Sequence, residues 1–503
     1  MPDAQDKPDL LAGVALDAIP DGGVLAGRIG DQEAVLVRRG TGVRALGGRC
    51  SHLGAPMEKG LLVGDELRCP WHHACFDTAS GRATRAPAFA PLPAWSVAVA
   101  DGRVRVTSPE PLPVPRAGDA AGRGPFVIVG GGAAGYAAAV ALKTAAPGAR
   151  CILVSEEAHA PYDRTLLTKD YLDGKFGDDR LPISALTLES LGVELRLSTR
   201  VERIDRDRAE VVLAGGGTVP YGALLLATGA EPKRLDVPGA DQDHVRVLRG
   251  LDDCRAILAR AARGGRVVVL GGSFIGLETA ASLRSRGLDV TVVTPEAEPT
   301  AAVFGSAVSR AIVAVHRDKG VAVLTGRRAV AIGAADVTLD DGTRLPADLV
   351  VVGIGVTPRT GLAEAAGLAV EEGVTVDPCL RSSDPAIFAA GDIARWPDPH
   401  TGRAIRVEHW VVAERQGQAA AANMLGGETP FTAVPFFWTK HFDLSVRYVG
   451  HAGPDAAISV EGSPDERDAA VWFREEGRPA ALATLGRDPL SMRTEREMEA
   501  GAA

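Results

Sequence analysis

Four side chains near the N-terminus have the types and spacing of a metal-ligand set. Cys50 and His52 form one pair, Cys69 and His72 form a second, and sixteen residues separate the pairs. Two thiolates and two imidazoles can hold a [2Fe–2S] cluster, with the cysteines on one iron and the histidines on the other. The same donor types can hold one structural zinc ion. Zinc fingers place both cysteines before both histidines, whereas the order here alternates, so the pattern favours the cluster.

The sequence around these four donors resembles Rieske ferredoxins and the Rieske domains of oxygenases. The resemblance is carried by segment 50–56 (CSHLGAP) and segment 69–77 (CPWHHACFD). It implies that the two cysteines and two histidines bind a [2Fe–2S] cluster. Relatives of higher potential carry two further cysteines where this chain has Ala55 and Trp71. This difference implies a cluster at the low end of the Rieske potential range.

A glycine-rich motif follows a predicted strand and begins a predicted helix. Gly130 allows a tight turn, Gly132 lets the backbone approach a pyrophosphate, and Gly135 allows close helix packing. The N-terminus of such a helix faces phosphates. Glu156 follows the next predicted strand, 21 residues after Gly135, where it can bind a ribose hydroxyl. The motif therefore predicts a dinucleotide site. Its expected contacts are Gly130, Gly132, Ala133, Ala134, Gly135 and Glu156.

A second motif of this kind begins 141 residues later. Ser273 occupies the position of its middle glycine, so a Cβ atom limits how closely a pyrophosphate can approach. No lysine or arginine closely follows the next predicted strand, which favours NADH because a nearby arginine commonly accommodates the 2′-phosphate of NADPH. We therefore expect a variant NAD(P)H site that prefers NADH. Its expected contacts are Gly271, Gly272, Ser273, Phe274, Ile275, Gly276, Glu278 and Glu296.

Three further segments resemble NADH-dependent ferredoxin reductases and apoptosis-inducing-factor-like flavoproteins. They are 161–169 (PYDRTLLTK), 224–229 (LLLATG) and 387–392 (IFAAGD). Thr165 and Leu166 stand where the family has prolines. The resemblance implies that the first dinucleotide site binds FAD. The additional flavin contacts that it implies are Arg164, Lys169, Thr228, Gly229, Gly391 and Asp392.

The same resemblance implies which residues act beside the flavin. It pairs Lys169 with Glu278 near the flavin edge, where the pair would influence hydride transfer, so these two are our candidate catalytic residues. It also places Trp410 and Trp438 near the isoalloxazine ring, and packing in the core of the C-terminal part is the alternative for both. Ser273 is shared with the Rieske-bearing branch of the family, which favours a working variant site over a dead one.

Disulfide reductases of this broad superfamily pass flavin electrons to a pair of cysteines. Neither Cys-x₄-Cys nor Cys-x₂-Cys occurs in residues 125–503. A one-electron acceptor on the same chain removes the need for that dithiol. The sequence therefore predicts that the iron–sulfur cluster takes the electrons, with the cofactors supplying the chemistry.

The segments that must position these motifs follow two patterns. Short apolar segments between glycine-rich turns predict an all-β N-terminal domain. The rest of the chain alternates apolar strands with alanine-rich helices and contains two copies of a βαβ pattern, which predicts parallel sheets. We therefore expect a multidomain chain: an all-β Rieske domain, two α/β dinucleotide-binding domains and a small α+β C-terminal domain. The expected ranges are 1–108 for the Rieske domain, 109–124 for a linker, 125–240 and 361–432 for a discontinuous FAD-binding domain, 241–360 for the NAD-binding domain and 433–503 for the C-terminal domain.

Composition and charge exclude several classes of function. The chain has 503 residues, 46% of them hydrophobic and 24% charged, as in globular proteins. Its net charge of −9 argues against a nucleic-acid partner and against anionic lipid binding. There is no secretion-signal pattern at the N-terminus and no apolar run long enough to span a membrane. Two of the six cysteines sit at ligand spacing and the others are scattered singly, which fits a reducing compartment, so we expect a cytoplasmic protein.

Taken together, these features predict an oxidoreductase that passes electrons from NADH to FAD, to the cluster and then to an external acceptor. The resemblance implies a ferredoxin, a cytochrome P450 or a Rieske oxygenase as that acceptor, and is compatible with a homodimer. An alternative hypothesis is an NADH-responsive redox sensor with little turnover. Fast multiple turnover with a protein acceptor would favour the enzyme, whereas one slow reduction with a change in sedimentation would favour the sensor.

Overall fold

The computed structural model describes residues 7–111, 124–178, 181 and 185–501. Most of the linker expected at 109–124 lies outside the described residues. In the part of the chain that the structure describes, no helix is long and apolar enough to cross a membrane.

Two antiparallel sheets form the N-terminal domain, with strand orders β1-β10-β9-β4-β3-β2 and β5-β6-β7-β8. Residues 34–37 of β3 are all buried because the two faces of the strand pack into two different hydrophobic cores. Val35 and Val37 pack with the cluster loops, while Ala34 and Leu36 pack on the opposite face. The strands are β1 (Val14–Ala15), β2 (Val24–Ile29), β3 (Gln32–Arg39), β4 (Gly42–Gly47), β5 (Leu61–Val63), β6 (Glu66–Arg68), β7 (Cys75–Asp77), β8 (Ala83–Arg85), β9 (Ala94–Ala100) and β10 (Arg103–Pro109).

The first α/β domain contains a five-stranded parallel sheet of order β13-β12-β11-β17-β29. Strands β11, β12 and β17 are buried along their whole length, as parallel strands covered on both faces must be. Three antiparallel strands, β14 to β16, lie between β13 and β17 along the chain and form a separate sheet. The elements are β11 (Phe126–Val129), α1 (Ala133–Ala145), β12 (Cys151–Val154), α2 (Ala185–Ser190), β13 (Val193–Arg196), β14 (Val201–Asp205), β15 (Glu210–Leu213), β16 (Thr218–Pro220), β17 (Ala223–Leu226) and β18 (Ala230–Pro232).

The second α/β domain repeats this plan. Its five parallel strands have the order β19-β26-β20-β21-β22, and β23 to β25 form a three-stranded antiparallel sheet. The elements are β19 (Val245–Val247), α3 (Leu251–Ala261), β20 (Arg266–Leu270), α4 (Phe274–Ser285), β21 (Asp289–Thr294), α5 (Ala301–Asp318), β22 (Ala322–Thr325), β23 (Ala329–Ile332), β24 (Asp336–Leu339), β25 (Arg344–Pro346) and β26 (Leu349–Val352).

The chain then returns to the first α/β domain. β27 pairs with β18 and β29 completes the parallel sheet, while α7 packs on α1. The elements are β27 (Val356–Pro358), α6 (Gly361–Ala365), β28 (Val374–Thr375), β29 (Ile387–Ala389), β30 (Ala394–Pro397), β31 (Ala404–Ile405) and α7 (Trp410–Met424).

A five-stranded antiparallel sheet and one helix form the C-terminal domain. The strand order is β32-β33-β36-β35-β34, and α8 packs against β33 and β36. Helix α8 is therefore held against the sheet. The elements are β32 (Phe436–His441), β33 (Leu444–Gly450), β34 (Ala457–Ser463), β35 (Asp468–Glu475), β36 (Arg478–Leu485) and α8 (Asp488–Gly501).

Candidate functional site

Both glycine motifs open into one cavity of about 1200 Å³ between the two α/β domains and the C-terminal domain. Most of the residues that the sequence predicts as dinucleotide contacts meet there. Those lining the cavity are Gly130, Gly132, Ala133, Ala134, Glu156, Arg164, Lys169, Thr228, Gly229, Ser273, Phe274, Ile275, Glu278, Gly391, Asp392, Trp410 and Trp438. The cavity is thus shared by the two predicted sites.

The first motif forms a cradle that suits a dinucleotide. Gly130 has φ +117°, and a Cβ atom there would lie 2.2 Å from the carbonyl oxygen of Ala227. A Cβ atom at Gly135 would lie 1.9 Å from the oxygen of Gly130, so Gly135 supports the turn without lining the cavity. A Cβ atom at Gly132 would meet no protein atom within 4 Å. The open space at Gly132, beside the N-terminus of α1, fits the pyrophosphate of FAD.

In the second motif, Ser273 is the N-cap of α4. Its Oγ accepts a hydrogen bond from the backbone N–H of Gly276 at 3.2 Å and donates to the oxygen of Gly353 at 2.7 Å. The hydroxyl therefore satisfies a free helix N–H and holds the neighbouring loop. The remaining glycines of the motif, Gly271, Gly272 and Gly276, support the turn and do not line the cavity.

The structure places Glu296 outside the cavity lining, on the exposed surface, where it accepts a hydrogen bond from the hydroxyl of Thr294. The backbone N–H of Arg327 donates to the oxygen of the same Thr294 at 3.1 Å. A cation therefore lies beside the end of β21, although its guanidinium pairs with Asp341 at 2.7 Å. Local sequence reasoning missed Arg327 because it arrives from the end of the next strand.

Lys169 and Glu278 meet at the cavity wall. Lys169 Nζ lies 2.7 Å from Glu278 Oε2, and Thr168 Oγ1 donates to the same oxygen at 2.6 Å. Thr439 Oγ1 donates to the second oxygen, Oε1, at 2.7 Å. The carboxylate is only 3% exposed, so it depends on these partners for stabilisation. Lys169 reaches it from a π-helical turn, Leu167–Tyr171, a local structure often found at functional sites.

Several other charged residues of the cavity are paired within the protein. Glu156 lies 3.1 Å from Arg359, and Asp392 lies 2.9 Å from Arg249. Arg164 pairs with Glu157 rather than Glu156. The sequence analysis did not single out Arg249 or Arg359, because each lies far along the chain from its partner.

The four predicted cluster donors converge in two like pairs. The thiol of Cys50 hydrogen-bonds with that of Cys69, and both residues are buried. The Nδ1 atoms of His52 and His72 are 3.2 Å apart. Two thiols on one side and two imidazole nitrogens on the other fit a [2Fe–2S] cluster with one residue type on each iron. Paired in this way, the donors would hold a cluster whose histidine side faces the reductase part of the chain.

That histidine side packs directly on the α/β and C-terminal domains. The ring of His72 lies 4.0 Å from the ring of Trp438, centroid to centroid, and Trp438 lines the dinucleotide cavity. His52 Nε2 lies 3.5 Å from the buried carboxylate of Asp163. Asp163 belongs to the segment 161–169, yet the sequence analysis named only its basic residues.

A buried ion network holds the N-terminal domain in this position. Glu495 of α8 is fully buried and lies 2.8 Å from Arg68, 2.7 Å from His73 and 2.7 Å from Arg415. Arg85 completes the network near Glu495 and Glu499. Burial alone would raise the pKa of Glu495, but Arg415 and its other cationic neighbours hold that pKa well below its usual value. The network therefore joins the first and last domains through a charged carboxylate.

Three family models match the chain. The pyridine nucleotide-disulphide oxidoreductase model matches residues 124–417, the Rieske [2Fe-2S] domain model matches 13–96, and the reductase C-terminal model matches 436–503. The chain belongs to the pyridine nucleotide-disulphide oxidoreductase family and carries a Rieske domain at its N-terminus. The predicted fold class is thereby confirmed.

Individual relatives agree with this assignment. The chain is 39% identical, over 72% of its length and 92% of the relative's, to the anthranilate 1,2-dioxygenase system ferredoxin–NAD(+) reductase component of Burkholderia cepacia. It is 30% identical to apoptosis-inducing factor 3 of Mus musculus over 94% of this chain and 81% of that one. Among solved structures, a covalent putidaredoxin reductase–putidaredoxin complex gives a TM-score of 0.71 at 32% identity, covering 75% of this chain and 93% of that one.

These findings define the class of enzyme. The protein is an NAD(P)H-dependent flavoprotein oxidoreductase that uses FAD and a [2Fe–2S] cluster. The predicted cofactors are thus confirmed, and the Rieske match selects the cluster over the zinc alternative.

Proposed function

We propose that this chain takes a hydride from NADH and delivers the electrons one at a time, through its own iron–sulfur cluster, to an external acceptor. The observation that carries this proposal is the contact between His72 and Trp438, whose rings are 4.0 Å apart. One of these residues is a proposed cluster ligand and the other lines the dinucleotide cavity. The contact brings a two-electron site and a one-electron site together within one chain.

In this proposal, each group of residues has a defined task. The cluster supplies one-electron chemistry, and its ligands are Cys50, Cys69, His52 and His72. The cradle at Gly132 holds the FAD pyrophosphate, and FAD supplies the step between hydride and single electrons. Lys169 and Glu278 hold a fixed pair of opposite charges at the wall of the cavity. Their position supports a role in orienting the reacting groups.

We expect the variant Trp438→Leu to slow reduction of the cluster by NADH more than it slows reduction of the flavin. The substitution removes the ring that touches His72 while keeping a partly buried apolar side chain. Stopped-flow absorbance, followed at flavin and cluster wavelengths without oxygen, separates the two rates. Trp410→Leu is the matched control, because Trp410 lines the same cavity and has no ring contact with His72 among the described residues. Equal slowing of cluster reduction in both variants would argue against the route through Trp438.

NADH is the coenzyme that we propose. Glu296 lies beyond the end of β21, where a carboxylate would repel the 2′-phosphate of NADPH. Arg327, the nearby cation, is occupied by Asp341. We therefore expect a higher kcat/KM with NADH than with NADPH in steady-state assays. A reversed preference would show that Arg327 is free to bind the phosphate in solution.

The acceptor that we propose is a one-electron protein of an oxygenase or cytochrome P450 system. Relatives support this choice by their names: one is the reductase component of a dioxygenase system, and another is putidaredoxin reductase of Pseudomonas putida. The cytoplasm is the proposed location, since none of the six cysteines forms a disulfide in the structure. A homodimer is the proposed assembly, and sedimentation of the purified protein tests it. The redox-sensor alternative is not favoured by these relatives.

A further inference from the structure

A buried carboxylate of the segment 161–169 lies against one of the proposed cluster ligands. Asp163 is only 4% exposed, and its Oδ2 atom lies 3.5 Å from Nε2 of His52. The other nitrogen of that ring, Nδ1, faces Nδ1 of the second histidine ligand, His72, at 3.2 Å. The ring of His52 therefore offers one nitrogen to the cluster and the other to Asp163. This carboxylate has no task in the function proposed above.

Asp163 is held in this position by its own loop. Its Oδ1 atom accepts hydrogen bonds from the backbone N–H of Thr165 at 2.8 Å and from the hydroxyl of Thr165 at 2.6 Å. These bonds cap the 3₁₀ turn Arg164–Leu166 and hold the carboxylate at the start of that turn. When Nδ1 of His52 binds iron, Nε2 carries the proton and can only donate. Both oxygens of Asp163 then face donors, which suits an ionised side chain.

No cation balances the charge of Asp163. Its neighbour Arg164 pairs with Glu157 instead. Among the described residues, the only ion-pair partner of Asp163 is His52, and an imidazole bound to iron is neutral. Burial, with the nearby charge of Asp163, raises the pKa of Glu414 well above its usual value, so this second carboxyl is neutral. Asp163 therefore places an uncompensated negative charge beside a histidine ligand.

Two cations close to the cluster loops are by contrast paired with other carboxylates. Arg447 donates from Nε to the backbone oxygen of Trp71 at 3.4 Å, and its guanidinium lies 2.7 Å from Asp488. Lys169 lies 2.7 Å from Glu278. Neither cation is free to cancel the charge of Asp163.

We propose that Asp163 is a positioning residue that lowers the reduction potential of the cluster by acting through His52. This inference rests on the function proposed above. A reduced cluster carries one more negative charge than an oxidised cluster, so a neighbouring carboxylate destabilises the reduced form. A hydrogen bond from Nε2 to the carboxylate adds to this effect, because it makes the ligand more basic. Electron delivery to the acceptor becomes more favourable by the amount that electron entry from the flavin becomes less favourable.

The midpoint potential of the cluster tests this role. The full chain, loaded with FAD and cluster, is titrated with dithionite and mediator dyes without oxygen, and the Rieske-type EPR signal is followed. Asp163→Asn keeps the size of the side chain and removes its charge, while Asp163→Ser keeps an oxygen that can cap Thr165. In both variants we expect the ratio of reduced to oxidised cluster at a fixed potential to rise about tenfold, a shift of about 59 mV for one electron.

Two further variants separate the charge from other effects of substitution. Asp163→Glu keeps the charge, so its potential should stay close to that of the wild-type protein. Asp170→Asn is the matched control, because Asp170 pairs with Lys175 and has no ion pair with a cluster ligand among the described residues. Its potential should not change. An unchanged potential in both neutral variants of Asp163 would overturn the proposal, as would an equal rise in Asp163→Glu or Asp170→Asn.

This titration uses no NADH, so it separates the role of Asp163 from the proposed function. Failure of NADH to reduce the cluster in the wild-type protein would contradict the proposed function, and the potentials of the variants would still decide the role of Asp163. Conversely, NADH-driven cluster reduction with identical potentials in all the variants would support the proposed function and overturn the role of Asp163.

Discussion

The variant Cys69→Ala is expected to lose NADH-driven electron delivery to a one-electron acceptor while still accepting hydride at the flavin. Cys69 is one of two adjacent buried thiols, and without it three of the four proposed ligands remain. We expect the one-electron rate to fall by more than about 100-fold, because loss of a ligand should cost more than loss of a group that supports a ligand. Cytochrome c reduction measures this output, and flavin bleaching by NADH measures hydride acceptance.

Cys75→Ala provides the matched control for this variant. Cys75 is buried in the same segment, and its thiol contacts the backbone oxygen of His73 rather than the other donors. Both rates should survive in this control. Equal one-electron rates in Cys69→Ala and the wild-type protein would rule out the proposed order of cofactors.

The second large effect is expected for Glu495→Gln, which removes the charge at the centre of the buried ion network. Arg415 is 3% exposed and would keep a buried positive charge without its carboxylate partner, while Arg68, equally buried, would keep only Glu499 at 2.9 Å. Breaking a buried ion pair in this way costs about 3–5 kcal/mol. We expect a lower free energy of unfolding in denaturant titrations. We also expect slower cluster reduction, because the network fixes the domain that carries His72.

Glu497→Gln on the same helix is the control. It makes the same chemical change at an exposed residue that has no buried partner among the described residues. It should leave both stability and cluster reduction close to those of the wild-type protein. Glu495→Gln with unchanged stability would mean that the network does not hold the domains together. Lost stability with unchanged cluster reduction would mean that α8 supports the fold without positioning the cluster.

The parts of the site that depend on local spacing could be predicted from the sequence. Cys50 and His52 lie in one short loop, so their proximity needs no knowledge of the whole fold. The turn at Gly130 is likewise dictated locally, because the strand, the turn and the helix are consecutive. This is why the fold class and the cofactors could be stated before the structure was known.

Contacts between distant segments could not be predicted in this way. Glu495 and His73 are 422 positions apart, and Thr439 and Glu278 are 161 positions apart. No periodicity links such residues, since their contact depends on how finished domains pack. The many charged residues of α8 give it the sequence pattern of a solvent-exposed helix. Only the assembled fold shows that Glu495 of this helix is buried among charged partners. The contact between the Rieske domain and Trp438 likewise depends on how the finished domains pack, so local sequence could not predict it.

The most direct test of the central claim is an anaerobic titration of the purified protein with NADH, followed by absorbance and EPR in the same samples. We predict flavin bleaching accompanied by a Rieske-type EPR signal, which would show that electrons from NADH reach the cluster within one chain. Complete flavin bleaching with an intact but EPR-silent, oxidised cluster would contradict the account, because the contact between His72 and Trp438 would then carry no electrons.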